Sequence, residues 1–421
     1  MTITPSRIGV VATHLNGIDL VSLESSQWCR VLTELGHECF FLTGESNQPE
    51  ARTVIVPEAD IRHPDIDAIN RDLYENSSRT SKTSGMIQAL RFHIKQHLHQ
   101  FIQTFDIGTL IVENALSLPS NIPLGLALIE LIAETRIPTI IHHHGFVWEQ
   151  AKYIGSPADD YIYNGFPPRL PSVEHVVASR FHADQMAIRY GIRAQIVPYA
   201  RDFHQPTTTD AMQSEDFRKA LGIETDGPLV LATSPIVASS QLELGIAFLA
   251  RMEETPALLI TSDPMHGDQD YLQFLQETAE LMHLPLHLIG DRILRSTKSR
   301  DSDAPTLEQC YLQTSALIAV GETQGAYAEI VDAIFHRQPV LISRNNLLAH
   351  EFNNRDIQLI HLEAFPNRAS VQDIHKKLED LEFLEMMTEH NFKLGEQYFS
   401  LQALERRLEN ILHEDLTSWS I

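Results

Sequence analysis

Short apolar runs rich in β-branched residues recur along this chain, each followed by a longer segment of helical period. That alternation is the pattern of parallel sheets with crossover helices, an α/β architecture with doubly wound sheets. In the first half the strands are expected at Arg7–Thr13, Glu38–Thr43, Ile107–Glu113, Pro138–His143, Val173–Ser179 and Gln195–Pro198. Leu23–Leu35 carries Leu23, Trp28, Val31, Leu32 and Leu35 on one stripe and reads as the first helix, closed by Gly36, with Met86–Phe105 a second. The pattern breaks at Asp202–Asp210, a polar stretch with Pro206 and no periodicity, which suits a linker. It then restarts, with strands expected at Leu229–Thr233, Ala257–Thr261, Leu286–Gly290, Ala316–Val320 and Pro339–Ser343, and with helices at Gln241–Glu253 and Gln269–His283. A chain of 421 residues exceeds one compact core, so two domains of roughly 200 residues are expected. Phe399–His413, apolar at Leu401, Leu404, Leu408 and Ile411, reads as a closing helix.

Several classes of function are disfavoured. Met1–Arg7 leads straight into an apolar strand without a basic region and a long apolar run, so no signal peptide is expected, and apolar stretches stop after about six residues, too few for a membrane span. Cys29, Cys39 and Cys310 are odd in number and lack a CxxC spacing, which fits free thiols in a reducing cytoplasm. A formal charge of −24, with no basic stripe, argues against nucleic acid as a partner. GxSxG, HExxH and P-loop motifs are absent.

Particular stretches carry a resemblance. After the first strand stands Asn16-Gly-Ile-Asp-Leu-Val-Ser-Leu-Glu24, then Asn114-Ala-Leu-Ser-Leu-Pro-Ser-Asn-Ile-Pro-Leu-Gly-Leu-Ala-Leu128, then His142-His-His-Gly-Phe-Val-Trp-Glu149, Val197–Phe203, Gly290–Ile293 and Asn391–Leu408. Together they resemble the family 4 retaining glycosyltransferases, in particular the mannosylglucosylglycerate synthase-like branch. The resemblance implies the GT-B fold: two Rossmann-like domains facing across a cleft, with a C-terminal helix crossing back to the first. Residues 1–204 would form the acceptor-side domain, completed by about 392–421, and 205–391 the nucleotide-sugar side. It further implies transfer of a sugar from a nucleotide-sugar donor to a small hydroxylated acceptor of glycerate or glycoside type, with no metal or other cofactor.

A donor diphosphate needs basic side chains and helix N-terminal amides aimed at it. The positions where that family carries a basic pair are here Pro235 and Ser240, and its pair of glutamates falls at Gln324 and Asp332, in the register set by Asp332-Ala-Ile-Phe-His-Arg-Gln-Pro339. Glu322 and Glu329 are a tempting match, but they lie seven apart where the family spacing is eight. Gly325 is a further donor-site position, Tyr327 replaces a glycine beside the sugar, and Asp291 and Arg292 occupy the nucleotide-side loop. In the first domain Gly17 and Asp19 remain, Leu20 replaces a glycine, and Gly145 replaces an acid after His142, His143 and His144. These departures imply a lost or altered donor chemistry, or a non-catalytic relative that serves as a partner subunit, homo-oligomer or sugar-binding protein.

The same residues have plainer readings. Consecutive strand histidines point to alternate faces, and no carboxylate at ligand spacing accompanies them in sequence, so a metal is not expected there. Asp291 and Arg292 suit a surface ion pair equally well.

Overall fold

The computed structural model describes residues 6–16, 19–205, 213–252, 254, 256–262, 268–294, 304–363 and 367–418, without the side chains of Gln324 and of residues 413–418. The chain divides into two compact units, Met1–Pro198 with Leu401–Ile421, and Tyr199–Ser400.

In the first unit seven parallel strands, Arg7–Val11 (β1), Glu38–Thr43 (β2), Thr53–Ile55 (β3), Thr109–Glu113 (β4), Thr139–His142 (β5), Val173–Val177 (β6) and Ala194–Ile196 (β7), run in the order β3-β2-β1-β4-β5-β6-β7. The strand order reverses between β1 and β4, whose register sets Val11 beside Val112. Ligands of open α/β sheets gather beyond the carboxyl ends of strands at such a point. Consecutive strand residues are buried, as at Val10 and Val11, Leu110, Ile111 and Val112, and Ile140 and Ile141, so both faces are covered, which explains why these strands read as continuous apolar runs rather than alternating ones.

The first helix spans Leu20–Glu34, beginning three residues before the start expected from its stripe. Asp19 is its N-cap and accepts hydrogen bonds from Ser22 N at 3.1 Å and Ser22 Oγ at 2.6 Å. Gly36, at φ +93°, takes the left-handed turn that follows the helix, where a Cβ would be strained. The helix Leu401–Ser418 also belongs to this unit, and Arg407 Nη1 donates to Ile196 O at the end of β7 at 2.7 Å.

The second unit holds six parallel strands, Leu229–Ala232 (β8), Ala257–Ile260 (β9), Leu286–Leu288 (β10), Ala316–Ala319 (β11), Val340–Ser343 (β12) and Ile360–Leu362 (β13), ordered β10-β9-β8-β11-β12-β13. Here the reversal falls between β8 and β11. Two parallel doubly wound sheets are the expected α/β class. β3 and β13, three residues each and at sheet edges, are additions that the sequence pattern did not signal. Of the expected linker, residues 206–210 lie outside the described residues, and Phe203 is a core residue whose ring packs on Phe335 and Phe392. Among the described residues no helix is long and apolar enough to cross a membrane.

Candidate functional site

Among the described residues, each unit carries a cluster of polar side chains beyond the carboxyl ends of its central strands. In the first unit Glu113 closes β4 and His142 closes β5, and the parallel register sets the two side by side. Residues 142 and 144 share a face while 143 takes the other. Glu113 Oε2 accordingly lies 3.0 Å from His142 Nδ1 and 2.7 Å from His144 Nε2. All three are buried, and the Trp28 ring stacks on His142 with centroids 4.2 Å apart. Burial would push the Glu113 carboxyl up, but the facing imidazoles outweigh it and hold it well below the usual carboxylate range. Burial pushes His142 down to about 4, so at neutral pH an anionic Glu113 faces a neutral His142.

This overturns the expectation that no carboxylate accompanies the histidines. The partner comes from the neighbouring strand, 29 residues before His142, and sequence spacing along one strand cannot reveal it. His143 points the other way. Its Nδ1 lies 2.6 Å from Ser117 Oγ and its Nε2 lies 3.0 Å from His175 Nδ1, all within the core. Burial, with His175 adjacent, pushes His143 well below its ordinary range.

Gly145 leaves room that another acid borders. A Cβ built there would stand 3.5 Å from Glu149 Oε2, and that oxygen accepts a hydrogen bond from Phe146 N at 2.9 Å. A carboxylate four residues further on thus lies beside the position where the family resemblance expects an acid. Asp19 caps the first helix and pairs with His14 at 3.4 Å. Desolvation raises its carboxyl, and the hydrogen bonds from His14 and Ser22 more than offset this and hold it at about 2. Leu20 is the first residue of that helix, and Gly17 lies outside the described residues.

In the second unit the loop after β8 and the helix Gln324–Phe335 meet. Gly325 sits where an added Cβ would be 3.9 Å from Pro235 Cδ, and a Cβ on Gly321 would press on Ser239 O and Ser240 Cα at 2.9 and 3.0 Å. The structure therefore brings Pro235, Ser240 and Gly325 to one place, with Pro235 exposed and Ser240 only 1% exposed. Thr323 caps the helix by accepting from Ala326 N at 3.1 Å. Gln324 is its first residue, and its side chain lies outside the described ones.

Asp332 faces inward on that helix, and its Oδ1 accepts from Arg201 Nε at 2.5 Å. Glu329, one turn earlier, is 6% exposed and accepts from Ser234 Oγ at 2.7 Å. Burial, aided by Asp332, raises it to about 7 against the help of Ser234. The Tyr327 ring is fully buried among Tyr199, Phe352 and Phe399, and its hydroxyl accepts from Arg355 Nη1 at 3.3 Å. Glu322 accepts from Leu347 N at 2.8 Å, a helix-start contact. Arg292 is not drawn to this cluster; its Nη1 donates to Leu221 O at 2.7 Å, and Asp291 beside it is exposed. Sequence reasoning missed Arg201, and the basic residue after Pro198-Tyr-Ala200 was the available signal.

No family model matches the chain. It is 24% identical over 446 aligned residues to the mannosylglucosylglycerate synthase of Thermotoga maritima, covering 97% of this chain and 99% of that protein. It is 22% identical over 361 residues to the mannosylglucosylglycerate synthase of Petrotoga mobilis, covering 80% and 81%. Among solved structures it superposes on Anabaena HepE in complex with UDP-glucose with a TM-score of 0.62 at 11% identity, covering 98% of this chain and all of that one (100%). The fold is therefore that of the GT-B glycosyltransferases. Within that class the likeness runs to the mannosylglucosylglycerate synthase-like branch, along nearly the whole chain.

Proposed function

We propose that this protein is a family 4-type member of that branch whose nucleotide-sugar site no longer grips a diphosphate in the usual way, so that transfer to a glycerate- or glycoside-type acceptor is lost or altered. One observation carries the reading. The loop Ser234–Gln241, which borders the N-terminus of the helix Gln324–Phe335 through Pro235 and Gly325, contains neither Lys nor Arg. A charged hydrogen bond contributes roughly 1.5–3 kcal/mol, so two missing ones cost about two to four decades of donor affinity at about 1.4 kcal/mol per decade. The Arg201–Asp332 pair adds to this, since a ribose hydroxyl at Asp332 would compete with a guanidinium already bound there.

A second reading keeps the framework for a non-catalytic role, as a partner subunit or sugar-binding protein. Calorimetric titration of the full chain with UDP- and GDP-sugars decides the donor question. The expected result is no saturable heat into the millimolar range, and a low-micromolar dissociation constant for either donor would overturn the proposal.

A further inference from the structure

We infer that Glu113, His142 and His144 form a binding site for one divalent transition-metal cation of the zinc class, independent of the nucleotide-sugar question. The three residues each offer one ligand atom, and these atoms lie within 4.8 Å of one another. Glu113 Oε2 stands 3.0 Å from His142 Nδ1 and 2.7 Å from His144 Nε2. A cation bound at about 2.0–2.2 Å holds neighbouring ligand atoms about 3 Å apart, so the set needs only small shifts to close on one.

A second observation points the same way. Glu113 Oε1 is buried and has no hydrogen-bond partner, while Oε2 hydrogen-bonds His144 Nε2 and lies 3.0 Å from His142 Nδ1. A buried carboxylate oxygen left without a donor is uncommon and costly, and a cation drawn to the carboxylate would satisfy it. Two imidazoles and one carboxylate suit zinc, cobalt, nickel or iron; magnesium and calcium prefer all-oxygen shells.

Neighbouring contacts hold the ligands in this arrangement. His144 N donates to Asn114 Oδ1 at 3.1 Å, and Trp28 stacks on the His142 ring. His143 is drawn to the opposite face by Ser117 and His175 and does not join the set. Without a cation, the His144 Nε2–H donates to Oε2 and His142 Nδ1 stands 3.0 Å from the same oxygen. With one, each ring turns a lone pair to the metal and carries its proton on the other nitrogen, so the exchange leaves the proton count unchanged. Three protein ligands leave the fourth tetrahedral position to a water or other small ligand, within a buried set.

The full chain, stripped with chelator, is to be titrated with Co²⁺ and then Zn²⁺. One equivalent of Co²⁺ is expected to bind, to give ligand-field absorption and to quench part of the tryptophan fluorescence, and one equivalent of Zn²⁺ is expected to displace it and raise the melting temperature. Glu113→Gln and His144→Ala should each weaken binding at least ~10-fold. Should Glu113→Gln fail to fold, His144→Ala at the rim of the cluster, 7% exposed, supplies the comparison. His93 and His97 on the helix Ser81–Phe105, with rings 4.5 Å apart, offer a rival surface chelate. The double variant His93→Ala/His97→Ala is expected to bind as the wild type does. Absence of stoichiometric binding, unchanged binding by folded His144→Ala, or loss only in the His93/His97 variant would overturn the site.

Discussion

Arg201 Nε lies 2.5 Å from Asp332 Oδ1, joining the start of the second unit to the helix where the family resemblance sets its second acid. Their side chains are 10% and 20% exposed, so the pair is largely removed from water. Removing one partner of such a pair strands the other, at about 3 kcal/mol, whereas replacing both with apolar groups is often near neutral. Arg201→Met is expected to lower the unfolding free energy measured by urea titration by that order, and Arg201→Met with Asp332→Leu to regain most of it. A double variant as unstable as the sum of the two singles would show that the two residues do not act as a pair.

Glu329 makes stability depend on pH. Its folded value, about 7, lies above the ordinary 4.5, so the protonated form is favoured in the folded state. The stability this contributes is complete below about pH 4.5 and is lost as pH rises through about 7, amounting to about 3 kcal/mol across the window. Glu329→Gln should flatten the pH dependence of stability between pH 5 and 8 and be the more stable protein at pH 8. A variant that tracks the wild type at every pH would place the titration elsewhere.

His142 and His175, both in the first unit, act with the other sign. Burial lowers each to about 4 from 6.5, so each contributes stability that is full above pH 6.5 and lost as pH falls toward 4. Each accounts for up to about 3 kcal/mol over that range. Acid unfolding should therefore take up protons in this window, and His175→Gln should reduce the uptake by about one. An unchanged uptake would mean that His175 is already charged in the folded protein.

The elements that the sequence made legible are those whose burial is uniform along a run. Leu229–Ala232, Ala257–Ile260 and Ala316–Ala319 are buried at every residue, and each lies within one residue of its expected span. Thr53–Ile55 and Ile360–Leu362 escape because three residues at a sheet edge carry too little apolar signal. The early start of the first helix comes from Asp19, a capping side chain outside the apolar stripe. For the candidate sites, the positions along each loop were readable but the partners across strands were not. The join of Glu113 to His142 is a property of register between β4 and β5. Tyr327 shows a different failure: position identifies a phenol where the family resemblance expects glycine, but only side-chain direction shows that its ring enters an aromatic core with Phe352 and Phe399.

The final test rebuilds the proposed donor grip, and the exposures of its two positions set the order of changes. Pro235 is exposed beside Gly325, so Pro235→Arg can enter solvent near the helix N-terminus with little strain. Ser240 is 1% exposed and its backbone abuts Gly321, so Ser240→Lys must carry a charged stem out of a tight place and is expected to cost stability. Pro235→Arg alone should gain about one to two decades in UDP- or GDP-sugar affinity, the worth of one charged hydrogen bond. Adding Arg201→Met, which releases Asp332 for a ribose hydroxyl, should gain further provided the protein stays folded. Donor hydrolysis and transfer to glycerate and glucosylglycerate are then assayed in wild type and variants. A wild type that already transfers at an ordinary ~1–10³ s⁻¹ would end the altered-site reading. A folded Pro235→Arg protein with unchanged donor affinity would show that position 235 does not face the diphosphate, and the assignment of Pro235, Ser240 and Gln324 would fall with it.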